Sequence, residues 1–290
     1  MPTVERPTTV ARLDAGAVEY RLERRGEVAV VVLHGGHMRA GLALGEEIFA
    51  ECGHSVLVPS RPGYGRTSPA TGATPAAFAD VVRDLCGHLG IERVAAVVGV
   101  SAGGRTAVSM AARHPDLVER LILQSALGFL PWPDRRTRLA ANIAFTPATE
   151  RATWGAVHAL LRLAPGLGLR MMLGDLSTRP AREVLAALTP GDRATLIALF
   201  SLMRSGHGFR NDLRASAEET AQVTQPALVV ATRNDGAVPF AHAESLMARL
   251  SRAELVESRA GSHFIWFADD YPAIADRIRD FLTSEPSHHG

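Results

Sequence analysis

The sequence predicts an α/β protein: a mostly parallel sheet flanked by helices, interrupted by one block that is helical throughout. Three observations carry this. Short, wholly apolar, β-branched runs such as "VAVVVL" (28–33), "SVLVPS" (55–60) and "VAAVVGV" (94–100) have the pattern of strands covered on both faces. Amphipathic stretches alternate with them, which is the rhythm of strand–helix–strand units. From about Gly128 to about Thr224 the strand-like runs stop, and they resume with "PALVVAT" (226–232).

Taken in order, "TTVARLD" and "AVEYRLERRG" read as a hairpin turning at "DAG". The run ending at Leu33 meets the loop "HGGHM", and a helix is expected over 41–51. "SVLVPS" is followed by the Gly/Pro loop "RPGYGRT" and by a helix, "TPAAFADVVRDLCGHLG", with Pro75 near its start and Gly90 past its end. "VAAVVGV" leads into a helix at "RTAVSMAARH", and "VERLILQSA" is a further strand. Four helical stretches then follow: "RTRLAANIAF", "TERATWGAVHALLRLA", "GDRATLIALFSLMRS" and "FRNDLRASAEETAQ". After "PALVVAT" come a helix over 241–250, the strand "AELVES" and the helix "YPAIADRIRDFL". The expected division is a core of residues 1–128 and 225–290 with an inserted helical cap at 129–224. The polar tail "SEPSHHG" is expected to be disordered.

Composition narrows the chemistry. Thirty-one basic and 30 acidic residues leave a net charge of +1, which offers no attraction to nucleic acid or an anionic membrane. The chain has no lysine, which excludes Schiff-base chemistry and the usual anchor of pyridoxal phosphate. Cys52 and Cys86 have no metal-ligand spacing and read as two reduced thiols. The N-terminal stretch lacks the apolar core of a signal peptide, and no apolar run approaches membrane-spanning length. A cytoplasmic protein, monomeric or homodimeric, is expected, with no metal or organic cofactor.

One stretch points to chemistry. Gly99-Val100-Ser101-Ala102-Gly103 fits G-x-S-x-G, in which a sharp strand-to-helix turn holds a serine hydroxyl exposed. Small residues at a packed turn would give the same pattern, so context decides; here the pattern follows a buried strand and opens a helix. A serine needs a base, and the base needs an orienting acid. Asp235 lies in "RNDGAVP" after one later strand and His263 in "GSHFIW" after the next. In a parallel sheet those loops share an edge with Ser101. Asp235 also suits a plain Asp-Gly turn.

With "VVVLHGG", "SRPGYGRT", "GVSAGG", "RNDGAVP" and "GSHF" in this order, the chain resembles the α/β-hydrolase superfamily, and within it the cap-bearing serine esterases and lactonases. The resemblance implies Ser101 as nucleophile, Asp235 as triad acid and His263 as general base. It implies an oxyanion hole from the backbone N–H groups of Gly36 and Ala102, with His37 as an alternative donor. Where many relatives carry a bulky residue, Gly36 is expected to leave room above the serine. Serine at the turn speaks against epoxide hydrolases and haloalkane dehalogenases, whose relatives place aspartate there.

The expected reaction is cleavage of a carboxylic ester, lactone or thioester of a small hydrophobic substrate through an acyl-enzyme. His37, Trp132, Trp154, Met203 and Phe264 are the candidate substrate contacts, although most large apolar residues of the block must form its own core. Perhydrolysis, carbon–carbon bond hydrolysis, acyl transfer and a non-catalytic ligand-binding role are the alternatives. His34 reads as a scaffold residue. Asp212 reads as a helix-surface carboxylate, with a second carboxylate near the site as the alternative, and Arg135, Arg136 and Arg138 read as a solvated face. Arg61, Tyr64 and Arg66 are expected to shape a loop at the site's edge. His54, His88, His114, His158, His207 and His242 have no assigned role.

Overall fold

The computed structural model describes residues 4–133, 135–146, 148–215 and 222–284. Eight strands form one sheet: β1 (Thr9–Leu13), β2 (Gly16–Glu23), β3 (Ala29–Leu33), β4 (Ser55–Pro59), β5 (Val94–Val100), β6 (Leu121–Gln124), β7 (Ala227–Ala231) and β8 (Ala253–Glu257). Their order across the sheet is β1-β2-β4-β3-β5-β6-β7-β8. The β1–β2 hairpin is antiparallel and β2 joins β4 antiparallel. Every pairing from β4 through β8 is parallel. Because β4 and β5 lie on opposite sides of β3, the connections diverge there, and a crevice opens at the carboxyl ends of β3 and β5.

The runs read as doubly covered strands are so, and their alternation sorts the side chains into two layers. Val31, Leu33, Val97, Leu121, Leu123 and Val229 pack against α2 (Pro75–His88), α3 (Gly104–Arg113) and α10 (Ala241–Arg249). Val30, Val32, Val98, Ile122 and Val230 face α1 (Glu47–Glu51) and α11 (Tyr271–Thr283). Helix α2 starts where its sequence signals it: Thr74 Oγ1 accepts the Ala77 N–H at 3.2 Å, with Pro75 in the first turn. Cys52 and Cys86 are free; burial raises both thiols, Cys86 to about 12.

Two expectations need correction. The helix expected over 41–51 is only α1, because Gly45 takes φ +68° and lies so close to the Trp266 ring that a Cβ there would come within 2.1 Å. Between β6 and β7 the described residues contain six helices, not four: α4 (Arg135–Ala144), α5 (Glu150–Leu163), α6 (Pro165–Gly174), α7 (Ala181–Ala187), α8 (Pro190–Leu202) and α9 (Gly208–Arg214). Of the three glycines that hide α6 from a periodicity argument, Gly168 serves its packing. A Cβ at Gly168 would meet Leu161 of α5 at 2.9 Å, so the two helices approach closely. Residues 216–221, where a continuation of α9 was expected, and residues 285–290 of the tail lie outside the described residues.

Candidate active site

The turn after β5 holds Ser101 at φ +52°, a left-handed conformation that costs a residue with a side chain about 1–2 kcal/mol. The turn is over-determined by close backbone packing. A Cβ on Gly103 would lie 2.0 Å from the Leu33 carbonyl oxygen, and one on Gly99 would lie 2.6 Å from Gly104 Cα. The Leu127 N–H donates to the Ser101 carbonyl at 2.9 Å. Ser101 is half-buried. Its hydroxyl makes no hydrogen bond among the described residues.

Asp235 and His263 meet. His263 Nδ1 lies 2.6 Å from Asp235 Oδ2, and both side chains are buried. Asp235 Oδ1 accepts the N–H groups of Ala237 and Val238, each at 2.8 Å, so the carboxylate is held on both oxygens. An acceptor-only carboxylate requires Nδ1 to donate, which leaves His263 Nε2 as the basic face. The two loops are laced together by Thr232 Oγ1 and Asn234 Nδ2, which both donate to the Ala260 carbonyl at 2.7 and 2.9 Å. Ser125, itself at φ +46°, donates its hydroxyl to the His263 carbonyl at 2.9 Å.

The segment between α6 and α7 also reaches these loops, which no sequence signal announces. The Leu176 carbonyl accepts the His263 N–H at 2.8 Å and the Gly236 N–H at 3.3 Å. Thr178 N–H donates to the Asn234 carbonyl at 3.0 Å, and Ser177 Oγ donates to the Gly261 carbonyl at 2.5 Å.

Opposite lies the loop after β3. The position of a Cβ on Gly35 is 2.7 Å from Ser101 Cβ, so only glycine fits beside the serine. His34 is a scaffold: its Nε2 is 3.0 Å from Glu46 Oε2, and its carbonyl accepts Arg61 Nε at 2.7 Å. The Gly36 N–H meets no acceptor among the described residues. Ala102 lies in the first turn after the strand, where an N–H has no intrahelical partner. The room expected above Gly36 is occupied, since the Phe209 ring lies 3.2 Å from where a Cβ would stand.

The candidate substrate contacts divide by burial. Trp154, Met203 and Phe264 are buried in the apolar cluster of the helical block. Trp132 is half-buried, donates Nε1 to the Ala237 carbonyl at 2.7 Å and packs with Ala102, Leu127 and Val238. His37, at φ +65°, is half-buried among rings: Phe209 at 4.2 Å, Phe145 at 5.2 Å and Trp154 at 5.3 Å between centroids. Desolvation lowers its pKa to about 4; Asp212 and Glu150 oppose that shift and Arg61 adds to it.

Asp212 is not on the helix surface. It is buried and takes a two-pronged ion pair from Arg61, with Nη2 donating to Oδ2 at 2.8 Å, and it accepts the Tyr64 hydroxyl at 2.5 Å. Burial, then Asp212, holds the Tyr64 phenol well above its ordinary pKa. Burial alone would lower Arg61, but Asp212 and Tyr64 hold it above its usual value. Arg66 is set apart, its Nε donating to Glu19 Oε1 at 3.0 Å. Arg138 is exposed and donates to the Trp132 carbonyl at 2.9 Å, while the side chains of Arg135 and Arg136 lie outside the described residues. Among the described residues no cluster of three or more His, Cys, Asp or Glu could hold a metal, and no helix is long and apolar enough to cross a membrane.

Comparison with known proteins identifies the family and the fold. The family model of the α/β hydrolase fold matches residues 28–270. A Bacillus subtilis protein named "Uncharacterized hydrolase YcgS" is 31% identical over 287 residues, covering 97% of this chain and 100% of that one. Among solved structures, an α/β hydrolase fold protein from Nakamurella multipartita superposes with a TM-score of 0.78 at 24% identity, over 95% of this chain and 99% of the other. The enol-lactonase of Burkholderia xenovorans gives 0.68 at 22% identity, over 95% and 100%.

Proposed function

This chain belongs to the α/β-hydrolase family, and on that premise we propose that it is a serine hydrolase that cleaves a carboxylic ester, lactone or thioester of a small hydrophobic substrate through an acyl-enzyme on Ser101. The observation that carries the reading is the 2.6 Å contact of His263 with Asp235, at the same sheet edge as a serine held at φ +52°. Ser101 Oγ attacks the substrate carbonyl carbon while His263 Nε2 takes the hydroxyl proton. Asp235 keeps the Nδ1–H tautomer and stabilises the imidazolium that forms. The N–H groups of Gly36 and Ala102 receive the oxyanion of the tetrahedral intermediate. His263 then returns its proton to the leaving oxygen or sulfur. Water, deprotonated by the same imidazole, attacks the acyl-enzyme and releases the acid.

Residues 129–224 act in this reading as a cap over the site, with the core formed by 1–128 and 225–290. The apolar character of the substrate rests on the rings beside the loop after β3: Phe209 lies against Gly36, and Trp132 and Phe145 pack against Phe209. The resemblance in fold to the enol-lactonase keeps cyclic esters within the substrate class.

A panel of aryl esters, thioesters and lactones tests the reading. Turnover of at least one member is expected, with kcat reduced by about 10⁴-fold or more in Ser101→Ala and His263→Ala. Turnover that survives in Ser101→Ala contradicts it.

A further inference from the structure

His37 belongs to a relay whose hydrogen atoms can be assigned from satisfaction alone. Trp154 Nε1 is a donor only, and it lies 2.7 Å from Ser205 Oγ. Ser205 is fully buried, so its own hydroxyl hydrogen needs an acceptor, and the second partner of that oxygen is His37 Nδ1 at 2.8 Å. Trp154 therefore donates to Ser205, and Ser205 donates to His37 Nδ1. An Nδ1 that accepts leaves the neutral ring with its proton on Nε2. The serine is not free to turn away. Glu150, its carboxylate held by Arg204 at 3.0 and 2.8 Å, accepts the backbone N–H groups of Ser205 and Gly206 at 3.1 and 3.2 Å.

Nε2–H itself meets no acceptor among the described residues, and His37 is only half-buried, so this donor is left for a partner from outside the chain. The ring projects from the residue next to Gly36, and Phe209 lies against both that glycine and the imidazole. The strained φ of +65° keeps the side chain there at an energetic cost.

We infer that His37 is a specificity-determining residue, a fixed neutral Nε2–H donor that binds an uncharged oxygen acceptor on the acyl part of the substrate, a few bonds from the scissile carbonyl. This rests on the serine hydrolase reading above and deepens it. The preferred acyl group is apolar except for one ether, keto or ring oxygen. A carboxylate there is disfavoured, because the ring stays uncharged at neutral pH and offers one hydrogen bond without a counter-charge.

Two measurements test this. Long-range proton–nitrogen correlation on protein labelled with ¹⁵N-histidine, with His37 assigned by difference from His37→Phe, reads the tautomer without any turnover. The Nε2–H form is expected, and the Nδ1–H form overturns the inference. The second measurement compares kcat/KM for p-nitrophenyl methoxyacetate and p-nitrophenyl butyrate, acyl groups that differ by an ether oxygen in place of a methylene. Taking the ratio cancels general damage to the enzyme.

That ratio is expected to fall about 10-fold in His37→Phe, mainly through KM, and to recover largely in His37→Gln, whose amide nitrogen restores a donor. Ser205→Ala, which frees the tautomer, is expected to lower it about 3-fold. An unchanged ratio in active His37→Phe overturns the inference alone. If wild-type protein turns over neither ester and Ser101 resists a fluorophosphonate, the hydrolase reading falls and this inference falls with it.

Discussion

The backbone of His263 is held by Leu176, a residue of the helical block: the Leu176 carbonyl accepts the His263 N–H at 2.8 Å. The same carbonyl accepts Gly236 N–H, next to Asp235, at 3.3 Å. One peptide group thus ties the loops of the proposed base and acid to each other and to the helical block.

Gly236 is where that tie can be disturbed. A Cβ there would stand 2.7 Å from the Ser177 nitrogen and 2.9 Å from its carbonyl carbon, so a side chain must push the 176–178 segment away. Gly236→Val is expected to lower kcat/KM about 100-fold, because small misplacements of catalytic groups are costly. Its cost in urea denaturation is expected to stay within about 1–3 kcal/mol. Gly87→Ala is the control: it lies in α2 with open space around it, and is expected to leave kcat/KM unchanged and raise stability by up to about 1 kcal/mol.

The Arg61–Asp212 pair joins the loop after β4 to α9, and Arg61 also holds the His34 carbonyl at 2.7 Å. Removing one partner strands a buried charge. Asp212→Ala is expected to cost about 3–5 kcal/mol of stability in urea denaturation, whereas the double variant Arg61→Met with Asp212→Leu is expected to recover much of that loss. Equal losses in single and double variants would contradict the assignment of the cost to an uncompensated charge.

Acid sensitivity should begin above the carboxylate range. Burial lowers the pKa of His37 and of His242 to about 4, and of His54 and His114 less far. Unfolded, these rings take up a proton near pH 6.5. Between about pH 6.5 and 4 the unfolded chain therefore binds more protons than the folded one, and stability falls as pH drops through that window. From pH 7 to pH 5 the loss is expected to reach about 2 kcal/mol for each of His37 and His242. His242, whose Nδ1 accepts the Gly128 N–H at 3.1 Å, offers the test: His242→Gln should flatten the profile by one such increment. A wild-type stability profile that is flat from pH 7 to 5 would contradict it.

What the sequence discloses about this molecule follows from how local each signal is. Ser101, Asp235 and His263 each follow a strand of the parallel sheet, and such a sheet brings these positions to one edge whatever the rest of the chain does. The buried place of Asp212 is not legible in the sequence, because a carboxylate in an amphipathic helix says nothing of an arginine 151 residues away. Leu176 acts through its carbonyl, a group every residue has, so no side-chain pattern marks it. The glycines of α6 weaken its helical periodicity, and one of them, Gly168, permits the close approach to Leu161 of α5. Room above Gly36 is governed by Phe209, which arrives from the far end of the inserted block.

Activation of Ser101 is tested most directly by a fluorophosphonate. Intact-mass analysis of the labelled protein followed by peptide mapping reads the result. A single adduct is expected, located on Ser101, absent in Ser101→Ala and strongly slowed in His263→Ala. An adduct on another serine, or labelling at the same rate in His263→Ala, would contradict it.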